Sequence, residues 1–315
     1  MTLVQLEYIV AVDSFRHFAE AARHCYVTQP TLSMQISKLE QELGIQLFDR
    51  SKQPVVPTEA GAALIVQARR VLTEFDLMND LVQEHKGIVA GTLKLGIIPT
   101  LAPYILPLFV KTFTGKYPDI RLAVQEMTTE NILLRLKEGR IDAAILVTPL
   151  QEVGIKGEVL FYEELMVYLS VKNALLKKSY ILSRDIDPGK LWLLEEGHCF
   201  HSQIVNLCEL QKAGKSLMHF EYEAGSIETL RKMVDINEGI TILPELATID
   251  LSASQRKQIR RFRAPAPMRE VSLVVHRDLV KKKLIALLKA EIIASIPEKI
   301  QKNKPVNILP VARQG

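Results

Sequence analysis

Residues 17–50 read HFAEAARHCYVTQPTLSMQISKLEQELGIQLFDR, and the N-terminal fold follows from them. Phe18, Ala19, Ala21 and Ala22 recur at helical spacing, with small side chains that permit close approach of a neighbour. Cys25-Tyr26-Val27 breaks the period. Thr28 is a good N-cap and Gln29-Pro30 opens a new helix, whose inner stripe of Leu32, Ile36, Leu39 and Leu43 runs until Gly44 closes it. Two helices joined by a tight turn, the second with a polar outer face, make a helix-turn-helix. That face carries Thr28, Gln29, Pro30, Thr31, Ser33, Met34, Gln35 and Lys38, groups of a size and polarity that suit base edges and phosphates in a major groove. A small helical bundle with a solvated face would show the same pattern.

Upstream, Leu3, Leu6, Ile9 and Val10, extended by Val12 and Phe15, predict an amphipathic opening helix. Downstream, IQLFDRSKQPVVPT places two short apolar runs around a polar turn, as in a wing, where Arg50 and Lys52 can meet phosphate. Residues 1–58 are thus expected to form a winged helix-turn-helix DNA-binding domain. Thr58 then caps a long helix running to about Lys86, so that 59–90 form a linker helix and hinge. Its apolar residues, from Leu64 and Ile65 through Phe75 and Met78 to Val82, recur at three- and four-residue steps. A lone helix cannot bury that stripe on itself, and a second copy is its natural cover; packing against the N-terminal domain is the alternative. A dimer would present two readers to a near-symmetric site on double-stranded DNA.

Beyond Gly91, strand patterns (TLKLGIIP, RLAVQEM, IDAAILV, EELMVYLSV, LWLLEE, GITILP, VSLVVHR) alternate with helical ones (102–113, 131–138, 279–296). This predicts an α/β regulatory domain with a parallel sheet over 91–297. Its two lobes resemble those of periplasmic binding proteins: lobe 1 about 91–162 and 266–297, lobe 2 about 163–265, with crossings near Tyr162 and Pro265. The cleft between such lobes is the default ligand site. Residues 298–315 read as a loose tail.

Composition excludes more than it identifies. The chain has 315 residues, 48% hydrophobic and 24% charged, with a net charge of +4. Residues 1–60 carry a balance of −2 and residues 256–315 one of +11, so charge alone does not point to N-terminal nucleic-acid binding. No apolar run reaches 18 residues, the N-terminus lacks a signal-peptide pattern, and three cysteines make no secreted framework; the cytoplasm is the expected compartment. No GxGxxG, P-loop, HExxH or GxSxG motif occurs, so neither an enzyme nor a cofactor is expected. His198, Cys199 and His201 cannot by themselves complete a tetrahedral metal site.

EEGHCFHSQIVNLC, residues 195–208, holds two of the three cysteines. Apolar residues from Phe200 onward follow helical spacing, which puts Cys199 at a helix N-terminus, where N–H groups and the dipole favour a thiolate. Cys208 falls on the same helix, among its apolar residues. Nine helical steps of about 1.5 Å hold the two Cα atoms roughly 13 Å apart, whereas a disulfide needs them within about 7 Å. Either the two never join and are small buried hydrophobes, or the segment unwinds when they do.

The string AARHCYVTQPTLSMQISKLEQELG resembles the N-terminal domain of LysR-type transcriptional regulators over two full helices. The resemblance implies that Gln29, Pro30, Thr31, Ser33 and Lys38 lie at the DNA, and that the linker helix dimerises; Met34 stands where many members have Arg. EEGHC…C at 195–208, with GIIPT at 96–100 and ETLRKMV at 228–234, is similar to the peroxide-sensing branch of that family, from residue 1 to about 297. That similarity implies a hydrogen-peroxide sensor switched by a reversible Cys199–Cys208 disulfide, Cys199 being peroxidatic and Cys208 resolving. It places Thr100, Thr129, His198 and Arg269 around the peroxide, with Ser202 where an acidic side chain is expected. It also implies a homotetramer, RNA polymerase and a thiol reductant as partners, and no membrane. The alternative within the family is a regulator that senses a small metabolite in the inter-lobe cleft, with structural cysteines.

Overall fold

The computed structural model describes residues 1–85, 89–150, 152–195, 199–208, 224–277 and 281–311. Two units emerge, Met1–Gly91 with Arg135–Arg140, and Thr92–Leu134 with Ile141–Gly315. In the first, α1 (Leu3–Phe15) begins with a capping box between Thr2 and Gln5, and α2 (Phe18–His24) precedes α3 (Gln29–Leu43). Thr28 caps α3 through Thr31 N at 3.4 Å, and Gly44 at φ +70° closes it, a left-handed position that suits glycine. Leu32, Ile36 and Leu39 bury their side chains with Ile9, Val12 and Ala21 in one core. The wing is an antiparallel pair, β1 (Phe48–Asp49) and β2 (Val56–Pro57).

Helix α4 (Glu59–His85) passes so close to the wing that a Cβ at Gly61 would lie 2.0 Å from the Leu47 carbonyl oxygen. Its apolar stripe divides. Ile65 and Ala68 are buried, and Leu64 and Leu72 pack on the N-terminal core, while Val71, Phe75 and Met78 stay exposed, Met78 at 64%. Packing against the N-terminal domain, one of the two covers expected from sequence, thus accounts for the first turns of the helix and leaves the later apolar residues exposed. The side chains of Leu81 and Val82 lie outside the described residues.

The second unit runs β3 (Gly91–Ile97), α5 (Ala102–Lys116), β4 (Ile120–Glu126), α6 (Thr129–Lys137), β5 (Ala143–Thr148), β6 (Ile155–Leu169), α7 (Cys199–Leu207), α8 (Ile227–Ile236) and β7 (Ile240–Pro244). It continues with α9 (Ala253–Arg256), β8 (Ile259–Arg261), β9 (Met268–His276), α10 (Lys282–Ser295) and α11 (Glu298–Gln301). The sheet order is β4-β3-β5-β9-β6-β7, with β8 on β6. The expected parallel sheet is instead mixed: β3–β5 is parallel, but β5–β9, β9–β6 and β6–β7 are antiparallel. The reason is β9, which returns from the second lobe and inserts between β5 and β6. Strand β6 pairs with β9 over Ile155–Glu164 and with β7 over Leu165–Leu169, so one strand runs through both lobes.

Two further expectations change. Among the described residues of LWLLEE no strand forms, only the isolated bridges Leu191↔Ile240 and Leu194↔Ala224. Residues 298–311 are not a loose tail. Ile300 and Leu309 are buried, and Ile308 bridges Met268 alongside β9, because apolar side chains at these positions find core to cover. Among the described residues, no helix is long and apolar enough to cross a membrane.

Candidate redox site and DNA-facing helix

Helix α7 starts at Cys199 itself, and its ladder continues past Leu207 through Cys208 N donating to Ile204 O at 3.0 Å. Both cysteines therefore sit on one helical run, and both are free thiols. Nine residues of that run again separate their Cα atoms by roughly 13 Å, beyond disulfide reach. Phe200 and Ile204 anchor the helix in the core, and His201 Nδ1 lies 2.6 Å from Leu194 O.

Three elements converge on Cys199. Strand β9 brings Arg269, 0% exposed, whose Nε donates to Glu163 Oε1 at 2.6 Å. The end of β3 brings Thr100: Arg269 Nη1 donates to its hydroxyl at 3.2 Å and Nη2 to its carbonyl at 3.1 Å. The Arg269 guanidinium also lies over the Phe200 ring, 5.4 Å from its centroid. The first residue of α6 brings Thr129, whose buried hydroxyl bonds no oxygen or nitrogen and faces the Cys199 sulfur.

The electrostatics oppose one another. Burial pushes the Cys199 thiol above its ordinary value; the Arg269 charge, the Thr129 hydroxyl and the N–H groups of Phe200 and Cys199 pull it down without prevailing. The thiolate expected at a helix start is thus outweighed, in this closed geometry, by desolvation. Cys208 has no such helpers, and burial pushes it up to about 12. It borders a cleft of about 480 Å³ with Ser183, Arg184 and Arg263.

Of the residues named from the sequence, Cys199, Thr100, Thr129 and Arg269 come together, Cys208 is held apart, and His198 lies outside the described residues. Glu163, Phe200 and Gln203 escaped the sequence reading. Glu163 carried a signal: it stands on the inward phase of β6, between Phe161 and Leu165, directly opposite Arg269 in the strand register. Its second oxygen accepts from Leu246 N at 3.0 Å, so the buried carboxylate is fully held.

On α3, Thr28, Gln29, Pro30, Thr31, Met34 and Lys38 are exposed, and Ser33 is half-buried. Gln35, like Ser33, is half-buried, its Oε1 accepting from Gln5 Nε2 at 3.4 Å, because position 35 flanks the buried Leu32–Ile36 stripe. Arg50 is exposed yet tethered, donating to Ser33, Ser37 and Glu40 at 2.9–3.2 Å and stacking 5.1 Å from Phe18.

Comparison with known proteins agrees with this architecture. Residues 3–62 match the bacterial regulatory helix-turn-helix proteins of the lysR family, and residues 86–294 match the LysR substrate binding domain. The chain is 35% identical over 274 residues to the hydrogen peroxide-inducible genes activator of Haemophilus influenzae, covering 87% of this chain and 90% of the relative. A full-length OxyR variant from Pseudomonas aeruginosa superposes with a TM-score of 0.79 at 33% identity, over 94% of this chain and 99% of that one. A hydrogen-peroxide-bound OxyR variant from Corynebacterium glutamicum matches with a TM-score of 0.61 at 29% identity, over 93% and 92%. A helix-turn-helix domain joined by α4 to a two-lobed regulatory domain, matched along nearly its whole length, belongs to the LysR family of bacterial regulators.

Proposed function

We propose that this LysR-family regulator senses hydrogen peroxide through Cys199 and reports it to DNA by forming a disulfide with Cys208. The observation that carries the reading is the placement of Cys199 at the first turn of α7, beside Arg269 and Thr129, with Thr100 bonded to Arg269 and Cys208 on the same helix out of reach. The relatives' names point the same way. A metabolite sensor has no need of a buried guanidinium held against a cysteine.

Entry of peroxide and water relieves the desolvation that holds the Cys199 thiol up and leaves the favourable groups in charge. The Cys199 thiolate attacks one peroxide oxygen. The S–O bond forms as O–O breaks, sulfur is oxidised by two electrons, and the departing hydroxide takes up a proton to become water. Thr100 and Thr129 offer hydroxyls to the bound peroxide, and His198 stands beside the cysteine in sequence. Arg269 stabilises both the thiolate and the charge on the leaving oxygen. The Cys208 thiolate then attacks the sulfenic sulfur, forming S–S and expelling a second hydroxide, which is protonated. That step requires α7 to unwind, so the redox state selects the fold of the segment. A thiol reductant returns two electrons and resets it.

DNA is read by α3, with Gln29, Pro30, Thr31, Ser33 and Lys38 at the duplex and Thr28 and Arg50 framing them. Gln35 acts from the edge. The exposed Val71, Phe75 and Met78 of α4 seat a second copy, and two dimers assemble as a tetramer that engages RNA polymerase in the cytoplasm. The test is mass spectrometry of the reduced protein after stoichiometric peroxide. A Cys199–Cys208 linkage, lost in Cys199→Ser while DNA binding remains, is expected; the same linkage persisting in that variant would refute the assignment.

A further inference from the structure

The segment after α10 does something that neither the peroxide chemistry nor the lobes require. It is laid across both places where the chain passes between lobes and ends on the redox helix. Lys299 Nζ donates to Glu245 Oε1 at 2.6 Å, and Asn303 Nδ2 donates to Tyr162 O at 2.9 Å and to Glu245 Oε2 at 3.0 Å. Farther along, Asn307 Nδ2 donates to Pro265 O at 3.1 Å, beside the second crossing. The backbone then joins β9: Met268 N donates to Asn307 O and Leu309 N to Met268 O, each at 2.8 Å. Last, Gln203 of α7, 0% exposed, donates its Nε2 to Leu309 O at 3.2 Å.

Each of these bonds is made with the lobes and α7 in the arrangement where both cysteines are thiols. Gln203 lies between Cys199 and Cys208, so bringing those sulfurs together moves it. The bond to Leu309 O is buried, and α7 cannot unwind without either breaking it or dragging the segment off β9. None of these hydrogen bonds involves Cys199 or Cys208.

We propose that residues 303–309 are a strap that holds α7 in its helical register and sets the rate of the second step, attack of Cys208 on oxidised Cys199, without acting on the first. The inference rests on the peroxide reading above. Gln203 and Asn307 are positioning residues in this view; they gate a rearrangement.

The test resolves the two steps in the full chain. Sulfenate formation is timed in a Cys208→Ser background by quenching with a sulfenate-trapping dione. Disulfide formation is timed in the native cysteine background by acid quench, alkylation and mass spectrometry. The perturbations are Asn303→Ala/Asn307→Ala, which removes the ties to both crossings and leaves the β9 pairing, and a chain ending at Lys302. The shortened chain should form the disulfide about tenfold faster, the worth of one buried hydrogen bond, and the double substitution several-fold faster. Sulfenate formation should not change in either. A merely structural strap would alter both steps or only lower stability. If the shortened chain does not fold, the double substitution decides alone. Sulfenate forming normally with a disulfide rate that is unchanged or slower overturns the strap and leaves the peroxide reading intact. Absence of any Cys199 oxidation in the intact protein overturns both.

Discussion

Asn206 offers a direct measure of whether α7 must come apart. It is exposed near the C-terminal end of α7, inside a ladder that includes the Cys208–Ile204 bond. Asn206→Ala and Asn206→Gly add no bulk and touch neither sulfur, yet alanine and glycine differ by about 0.8–1.0 kcal/mol in a helix interior. If closing roughly 13 Å to disulfide range takes residue 206 out of the helix, that difference enters the dithiol–disulfide equilibrium nearly whole. Alanine favours the helical dithiol, so its disulfide should be the easier to reduce. For a two-electron couple in which 30 mV corresponds to about 1.4 kcal/mol, the two variants should differ by about 20 mV, alanine the more oxidising. Titration in dithiothreitol redox buffers, with the disulfide fraction read by alkylation and mass spectrometry, resolves this. Potentials agreeing within about 5 mV, or the opposite order, would mean that residue 206 keeps its conformation on oxidation and that the unwinding argument is wrong.

Four other outcomes are expected. Arg269→Met strands the Glu163 carboxylate in a fully buried site and should cost about 3–5 kcal/mol in urea unfolding, most of it recovered by adding Glu163→Leu. The Cys208 thiol, raised by burial in the fold, contributes stability that is complete below its unfolded value of 9.0 and lost as pH climbs toward about 12. The reduced protein should therefore lose up to about 1.4 kcal/mol per pH unit in that window from this group, a slope that denaturant midpoints should show diminished in Cys208→Ala. Phe75→Ala/Met78→Ala, trimming the exposed turns of α4, should weaken self-association, raising the dissociation constant measured by sedimentation by at least about tenfold, since each buried apolar side chain is worth about 1.5–3 kcal/mol. Lys38→Ala should reduce the log–log salt slope of DNA binding by about one, and Arg50→Ala by less, because Arg50 is already neutralised by Glu40.

Local rules carried the N-terminal part far. The Thr28 cap, the Leu32–Ile36–Leu39 stripe and the Gly44 stop are short-range signals, and α3 begins and ends where they say. The start of α7 at Cys199 was legible for the same reason: a helix boundary depends on residues within one turn. How far Gln35 is covered was not legible, because one helical step separates the flank of a stripe from its outer face, and the neighbour Gln5, 30 positions away, supplies part of the cover.

What the sequence determined by itself was the helix-turn-helix, the alternation of strands and helices beyond Gly91 and the incompatibility of one helical turn with a Cys199–Cys208 bridge, because each is set by dihedral period and reach along the chain. Tertiary structure alone decided the mixed sheet, the Glu163–Arg269 pair, the strap onto Gln203 and the balance that holds the Cys199 thiol up. Those depend on which distant strands become neighbours and how much water they exclude. Pairing and desolvation are sums over the whole fold, and no window of sequence contains them.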